Sequence, residues 1–141
     1  MAFDPLDRAA AYQRERRRAG ADGACALFIG TVRDRHAGQT VTAMTLEHYP
    51  GMTEAEIQRS LAEAAGRWAM DDALILHRVG RLLPGDPIVL VAVWATHRGA
   101  ACDACRYCLE ALKSRAPFWK KEELADGTSR WVAGNTPPWA P

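Results

Sequence analysis

Leu112-Lys113-Ser114-Arg115-Ala116-Pro117-Phe118-Trp119-Lys120-Lys121-Glu122 ends one element and begins another. Pro117 lacks an N–H and biases Ala116 away from helical backbone, so no regular helix runs through the stretch. Lys113 is therefore expected at the end of one element and Lys120 beyond a break. Lysines carried by two elements can converge on one small anion from different directions. A solvated basic face has no need of Pro-Phe-Trp between its charges.

Upstream of this stretch, residues 100–113 read as a helix with Ala101, Cys105, Cys108, Leu109 and Leu112 on one stripe. Before it, Ile88 to Ala95 (IVLVAVWA) reads as a strand buried on both faces. Leu83-Pro84-Gly85-Asp86 is a tight turn, and Ala73 to Val79 a further strand. Thr53 with Glu56 forms a capping-box pattern. It opens an amphipathic helix that carries Ile57, Leu61, Ala64, Ala65 and Trp68. Val41 to Tyr49 alternates as a strand does and ends at a Pro50-Gly51 turn. Ala24 to Val32 (ACALFIGTV) is a mostly buried strand. Asp34 to Thr40, with Gly38, reads as a mobile loop. The first twenty residues form a short helix whose charged end runs from Arg14 to Arg18. From about residue 132 the tail is Pro-rich, with Trp131 and Trp139 flanking Asn135-Thr136-Pro137-Pro138. A helix after each pair of strands predicts a two-layer α+β architecture, with the strand order left open.

The 141 residues suit a single domain spanning 1–141. Net charge is only +1, so any anion site must come from local clustering of cations rather than a basic surface, and nucleic acid is not an expected partner. No apolar run reaches the roughly 18 residues of a membrane span. Met1-Ala2-Phe3-Asp4-Pro5 lacks a basic region followed by an apolar one, so a cytoplasmic protein with reduced cysteines is expected.

Cys102, Cys105 and Cys108 are spaced C-x-x-C-x-x-C, like part of an iron–sulfur ligand run. The fourth cysteine and the proline that follows such runs are absent. Three-residue spacing on a helix places small thiols near one buried face, and that structural role is the preferred reading. His36, His48, His77 and His97 lack metal-ligand spacing, and His48 and His77 read as strand residues with satisfied ring nitrogens. No P-loop, G-x-G-x-x-G, H-E-x-x-H or G-x-S-x-G occurs.

Two further places carry exposed chemistry. Gly30-Thr31-Val32-Arg33 ends a buried strand in a cation, and Thr96-His97-Arg98-Gly99 ends the most apolar strand just before a helix N-terminus. Free helix N–H groups and an arginine both suit phosphate. If the fold gathers all three places, Arg33, His97, Arg98, Lys113 and Lys120 line one pocket for a phosphate-bearing ligand. Clustered cations lower one another's proton affinity, which makes a lysine usable in acid–base chemistry near neutral pH.

The pieces Phe28-Ile29-Gly30-Thr31-Val32-Arg33, Leu46-Glu47-His48-Tyr49-Pro50-Gly51-Met52, His77-Arg78-Val79-Gly80, Pro84-Gly85-Asp86 and Thr96-His97-Arg98, with the opening stretch, occur in order over about residues 24–132. On these the chain resembles the large, catalytic subunits of molybdopterin synthase. The resemblance implies an α/β hammerhead fold with an antiparallel sheet subdomain. It implies sulfur transfer to a cyclic pyranopterin monophosphate, giving the dithiolene of molybdopterin in molybdenum cofactor biosynthesis. The sulfur comes as a thiocarboxylate on the C-terminal Gly-Gly of a small ubiquitin-like subunit, with no metal or redox cofactor. Large subunits pair as a homodimer, with a small subunit at each distal end, in a heterotetramer. By motif, Lys113 and Lys120 are implied as catalytic. Thr31, Val32, Arg33, His97, Arg98, Lys120, Lys121 and Glu122 are implied as substrate contacts. Relatives can supply a basic residue from the tail to the neighbouring subunit, whereas here the last cation is Arg130. The rival reading is a non-catalytic module that binds a phosphometabolite or a partner's tail.

Overall fold

The computed structural model describes residues 3–16 and 20–132. Arg17, Arg18 and the tail beyond residue 132, with Trp139, lie outside the described residues. The chain runs α1 (Pro5–Arg16), β1 (Ala24–Thr31), β2 (Arg35–His36), β3 (Gln39–His48), α2 (Met52–Arg67), β4 (Met70–His77), β5 (Gly80–Leu82), β6 (Pro87–Ala95), α3 (Arg98–Arg115), β7 (Phe118–Leu124) and β8 (Ser129–Val132).

The strands form two antiparallel sheets, one ordered β1-β6-β4 and the other β2-β3-β7-β8, with β5 also paired to β3. The expected α+β class with a mostly antiparallel arrangement is what forms. β6 is central and fully apolar, and its alternate residues serve two cores. Val89, Val91 and Val93 pack on the side of α2 and α3, together with Val32, Leu46 and Leu82. Leu90, Ala92 and Trp94 pack on the side of Ala9 and Tyr12 of α1. The first helix thus adds a partial third layer to the two expected. Each such fully buried Val or Leu contributes roughly 1.5–3 kcal/mol from removal of apolar surface from water. At the rim of the α1 layer, Arg16 pairs with Asp22 and Asp72, and Trp94 donates to Gln13.

α3 turns Ala101, Ala104, Cys105, Cys108, Ala111 and Leu112 inward at three- and four-residue spacing. Cys105 and Cys108 are small residues of this helix–sheet seam. Burial pushes their thiols up to about 12 and about 11, while Cys102 is exposed. The trio therefore spans both sides of the helix surface. All four cysteines are free thiols, and among the described residues no cluster of His, Cys, Asp or Glu is placed to hold a metal. No helix among the described residues is long and apolar enough to cross a membrane.

The structure corrects two local expectations. Residues 34–40 are not a loose loop but hold β2, which pairs Arg35 with Thr40 and His36 with Gln39. The two-residue turn is possible because Ala37 and Gly38 both take positive φ, the twist that two-residue hairpins need. α2 begins at Met52, with Gly51 rather than Thr53 as its cap: the Glu54 carboxylate accepts from the Gly51 N–H at 2.6 Å. Thr53 is buried instead and donates from its hydroxyl to the Pro117 carbonyl, tying the start of α2 to the break before β7.

Candidate functional site

The break at Pro117 forms as expected. α3 stops at Arg115, Ala116 is extended, and β7 opens at Phe118. Strand alternation then sorts the side chains of β7. Lys120 and Glu122 lie opposite the buried Leu46 and Met44 of β3, whereas Trp119 and Lys121 lie opposite Glu47 and Thr45 on the other face. Helix geometry sorts the end of α3 similarly. Lys113 turns inward, while Arg115 turns toward α2 and pairs with Glu63 at 2.8 Å.

Lys113 and Lys120 meet across a small cavity of about 30 Å³, lined also by His77, Leu112, Ala116 and Phe118. That is room for about one water molecule. Burial lowers the proton affinity of both lysines. For Lys120 the value falls to about 8, first through desolvation and then through Lys113 and Arg33, against the pull of Glu122. Two ammonium groups and a guanidinium thus act on one another through a partly dry site. The group is poised to change charge near neutral pH.

Arg33 reaches this field from the end of β1. Gly30 faces Val89 so closely that a Cβ there would come within 2.9 Å of Cγ1, and the register slips between Gly30 and Thr31. The slip lets the chain leave the sheet toward Pro84-Gly85. Val32 is buried, donates from its N–H to Asp86 and accepts from Gly85, so it anchors its neighbours. Thr31, Arg33 and Arg35 then rim a broad open depression of about 610 Å³, completed by Asp34, Pro84 and Gly85.

The other expected contacts lie elsewhere. His97 and Arg98 are exposed at the N-terminus of α3, fifteen residues from Lys113, or about 22 Å along the helix. A single chain therefore does not gather all three cationic places, because α3 holds two of them at opposite ends. Lys121 sits 5.7 Å from the Trp131 ring on the face away from Lys120. Glu122 is buried and bound by His36 at 2.9 Å and Arg130 at 3.0 Å, a latch joining β2, β7 and β8. These partners hold its carboxyl below the usual range despite burial.

His77 is the site residue that strand reasoning missed. It ends β4, lines the lysine cavity and stacks on Phe118 at 3.9 Å and 18°. Its Nδ1 lies 2.7 Å from the Arg78 carbonyl, so Nδ1 carries the hydrogen. Burial, reinforced by Lys113, Lys120 and His48, depresses its proton affinity to about 4. A histidine at a strand's end, in the run His77-Arg78-Val79-Gly80, was the available signal.

Comparison with known proteins identifies the family of the chain. The family model described as MoaE protein matches residues 1–115, ending before Lys120. A molybdopterin synthase catalytic subunit from Ralstonia nicotianae is 56% identical over 110 residues, covering 78% of this chain and 62% of the relative. The chain thus spans under two thirds of that relative's length. The solved molybdopterin biosynthesis MoaE protein from Burkholderia ambifaria is 50% identical. It superposes with a TM-score of 0.78, covering 98% of this chain and 88% of that one. A molybdopterin synthase crystal structure from Staphylococcus aureus is 31% identical, with a TM-score of 0.80 and 93% of each chain covered.

Proposed function

The chain belongs to the MoaE protein family, and on that premise we propose that it is the large, catalytic subunit of a molybdopterin synthase. Its reaction is sulfur transfer from the C-terminal thiocarboxylate of a small ubiquitin-like subunit to a cyclic pyranopterin monophosphate, in the cytoplasm. The observation that carries this reading is the pair Lys113 and Lys120 sharing one cavity, with Lys120 brought to about 8.

In this reading the carrier's thiocarboxylate tail enters beside Lys113, whose ammonium assists sulfur attack on the pterin side chain. Lys120 faces the developing negative charge, or gives a proton as the cyclic phosphate opens. A preorganised cation in a partly desolvated site is worth more at such a charge than one in water. Arg33 holds the phosphate from the rim, with Thr31 and Val32 shaping the segment. Glu122 supports the site through its latch on β7 rather than through direct contact.

His97 and Arg98 fit the same substrate only as a contribution from the neighbouring copy in a homodimer, since within one chain α3 holds them away from the lysines. A non-catalytic module that binds a phosphometabolite or a partner's tail is the less favoured alternative: holding an anion needs cations, but not a lysine brought to about 8.

The test is a defined mixture of this protein, cyclic pyranopterin monophosphate and thiocarboxylated small subunit, with the dithiolene followed after oxidation to a fluorescent pterin. Product is expected. Tight binding of both components without product would leave only the binding module. Mixing an Arg98→Ala chain with a Lys113→Ala chain should restore part of the activity that each lacks alone, if sites are completed across the dimer.

A further inference from the structure

His77 stands out among the groups that the proposed reaction does not use. It is an imidazole placed among cations, where a phenyl ring would pack as well and cost nothing in charge. Three anchors fix it. Phe118 stacks on its face, Nδ1 donates to the Arg78 carbonyl, and the Arg78 N–H in turn donates to the Ile88 carbonyl at 2.8 Å. The Arg78 guanidinium also donates to the Pro87 carbonyl at 3.1 Å, so the backbone acceptor is itself held. With Nδ1 committed, Nε2 carries the lone pair, on the ring edge away from Arg78. The ring lines the cavity that Lys113 and Lys120 share.

Resting on the synthase reading, we propose that His77 is a positioning residue: its Nε2 accepts a hydrogen bond from one of the two lysine ammonium groups across the cavity and aims it at the reacting centre. The titratable groups that face it are Lys113 of α3, Lys120 of β7 and His48 of β3, none of which carries negative charge. Burial first, and then the neighbouring lysines, keep the imidazole neutral at physiological pH, as an acceptor must be. A neutral acceptor also favours the charged lysine over the neutral one, offsetting part of the desolvation that lowers its affinity.

Three substitutions separate this role from packing. His77→Gln places an amide oxygen near the Nε2 position and keeps the acceptor. His77→Asn keeps a donor to the Arg78 carbonyl but has nothing at Nε2. His77→Phe keeps the stack on Phe118 alone. In the sulfur-transfer mixture, His77→Asn and His77→Phe should lower kcat about tenfold or more with KM changed little, the scale of a lost hydrogen bond to a charged group. His77→Gln should restore most of it.

A second readout needs no substrate: the pH dependence of acetylation of Lys113 and Lys120 in the folded protein, read by mass spectrometry. Loss of the acceptor should move the midpoint to lower pH in the Asn and Phe variants and leave it near wild type in Gln. An unchanged midpoint in folded Asn and Phe variants overturns the proposal, whatever the turnover. A shifted midpoint with no turnover even in the wild type supports the role of His77 and removes the synthase reading instead.

Discussion

Lys113 and Arg115 are two residues apart on one helix, yet they live in opposite electrostatic worlds. Lys113 turns into a cavity with Lys120, where burial weakens its hold on a proton. Arg115 turns outward onto Glu63 and Tyr107, and its hold is strengthened. The same division runs through β7, where Lys120 faces inward and Lys121 outward beside Trp131. The inward side brings Lys113 and Lys120 to one cavity and raises the energy of the substrate-free state; on the outward side Arg115 is neutralised by Glu63, and Lys121 lies beside the Trp131 ring. The difference teaches that a basic run in a sequence has no single electrostatic character. Period and break decide which charges become chemistry and which become clasps.

The largest expected effect breaks the comparison at its inward side. Lys113→Ala and Lys120→Ala should each reduce sulfur transfer by roughly 10²–10⁴-fold, the range for a lost acid–base or charge-stabilising group. Arg115→Gln, on the outward side, should stay within about twofold. Steady-state kinetics with circular dichroism as a folding control measures both.

A second effect is on stability. Glu122→Gln removes the buried carboxylate that binds His36 and Arg130, and should cost about 2–3 kcal/mol in urea unfolding at pH 7. Since this carboxyl is held below its ordinary value, its contribution is present above the unfolded carboxylate pKa and fades as pH falls through the folded one. The variant should therefore lose less than the wild type on acidification.

The inward face should also show its cost directly. Lys120 binds its proton less tightly folded than unfolded, so the unfolded state carries more protons between about pH 8 and the ordinary lysine range. Stability should then rise with pH across that window. Lys120→Met should stabilise the substrate-free protein by about 1 kcal/mol at pH 7, discounted for the cavity's contact with solvent, while abolishing turnover. If protonated Lys120 is the working form, kcat should fall above about pH 8.

The smallest effect lies on the outward side. Glu63→Gln should lower the melting temperature only slightly, and the difference should shrink in high salt, since the clasp is exposed. Persistence of a large difference in high salt would make the clasp more than a surface pair.

Much of this division was legible in the sequence, because it follows from local rules. Pro117 alone separates Lys113 from Lys120, and the apolar run Ile88–Ala95 could only be a buried strand. Of the cysteine trio, Cys105 and Cys108 lie in the helix–sheet seam as their spacing suggests, whereas Cys102 is exposed, against the expectation of one buried face. What was not legible depended on long-range geometry. The hairpin at Arg35–His36 needs Ala37 in a left-handed conformation that alanine rarely adopts. The cap at Gly51 won over Thr53 because Thr53 is claimed by Pro117, sixty-four residues away. His77 entered the site because β4 ends beside β7, which no alternation pattern announces. The separation of His97 and Arg98 from the lysines follows from the length of α3 once its bounds are fixed.

The most direct test is an NMR titration of the Lys120 ammonium in the full-length, substrate-free protein, in wild type and in Lys113→Met. A midpoint near 8 that rises when the neighbouring charge is removed is the result predicted by two lysines sharing one cavity. A midpoint in the ordinary lysine range, unmoved by Lys113→Met, would contradict it and make the inward face no different from the outward one.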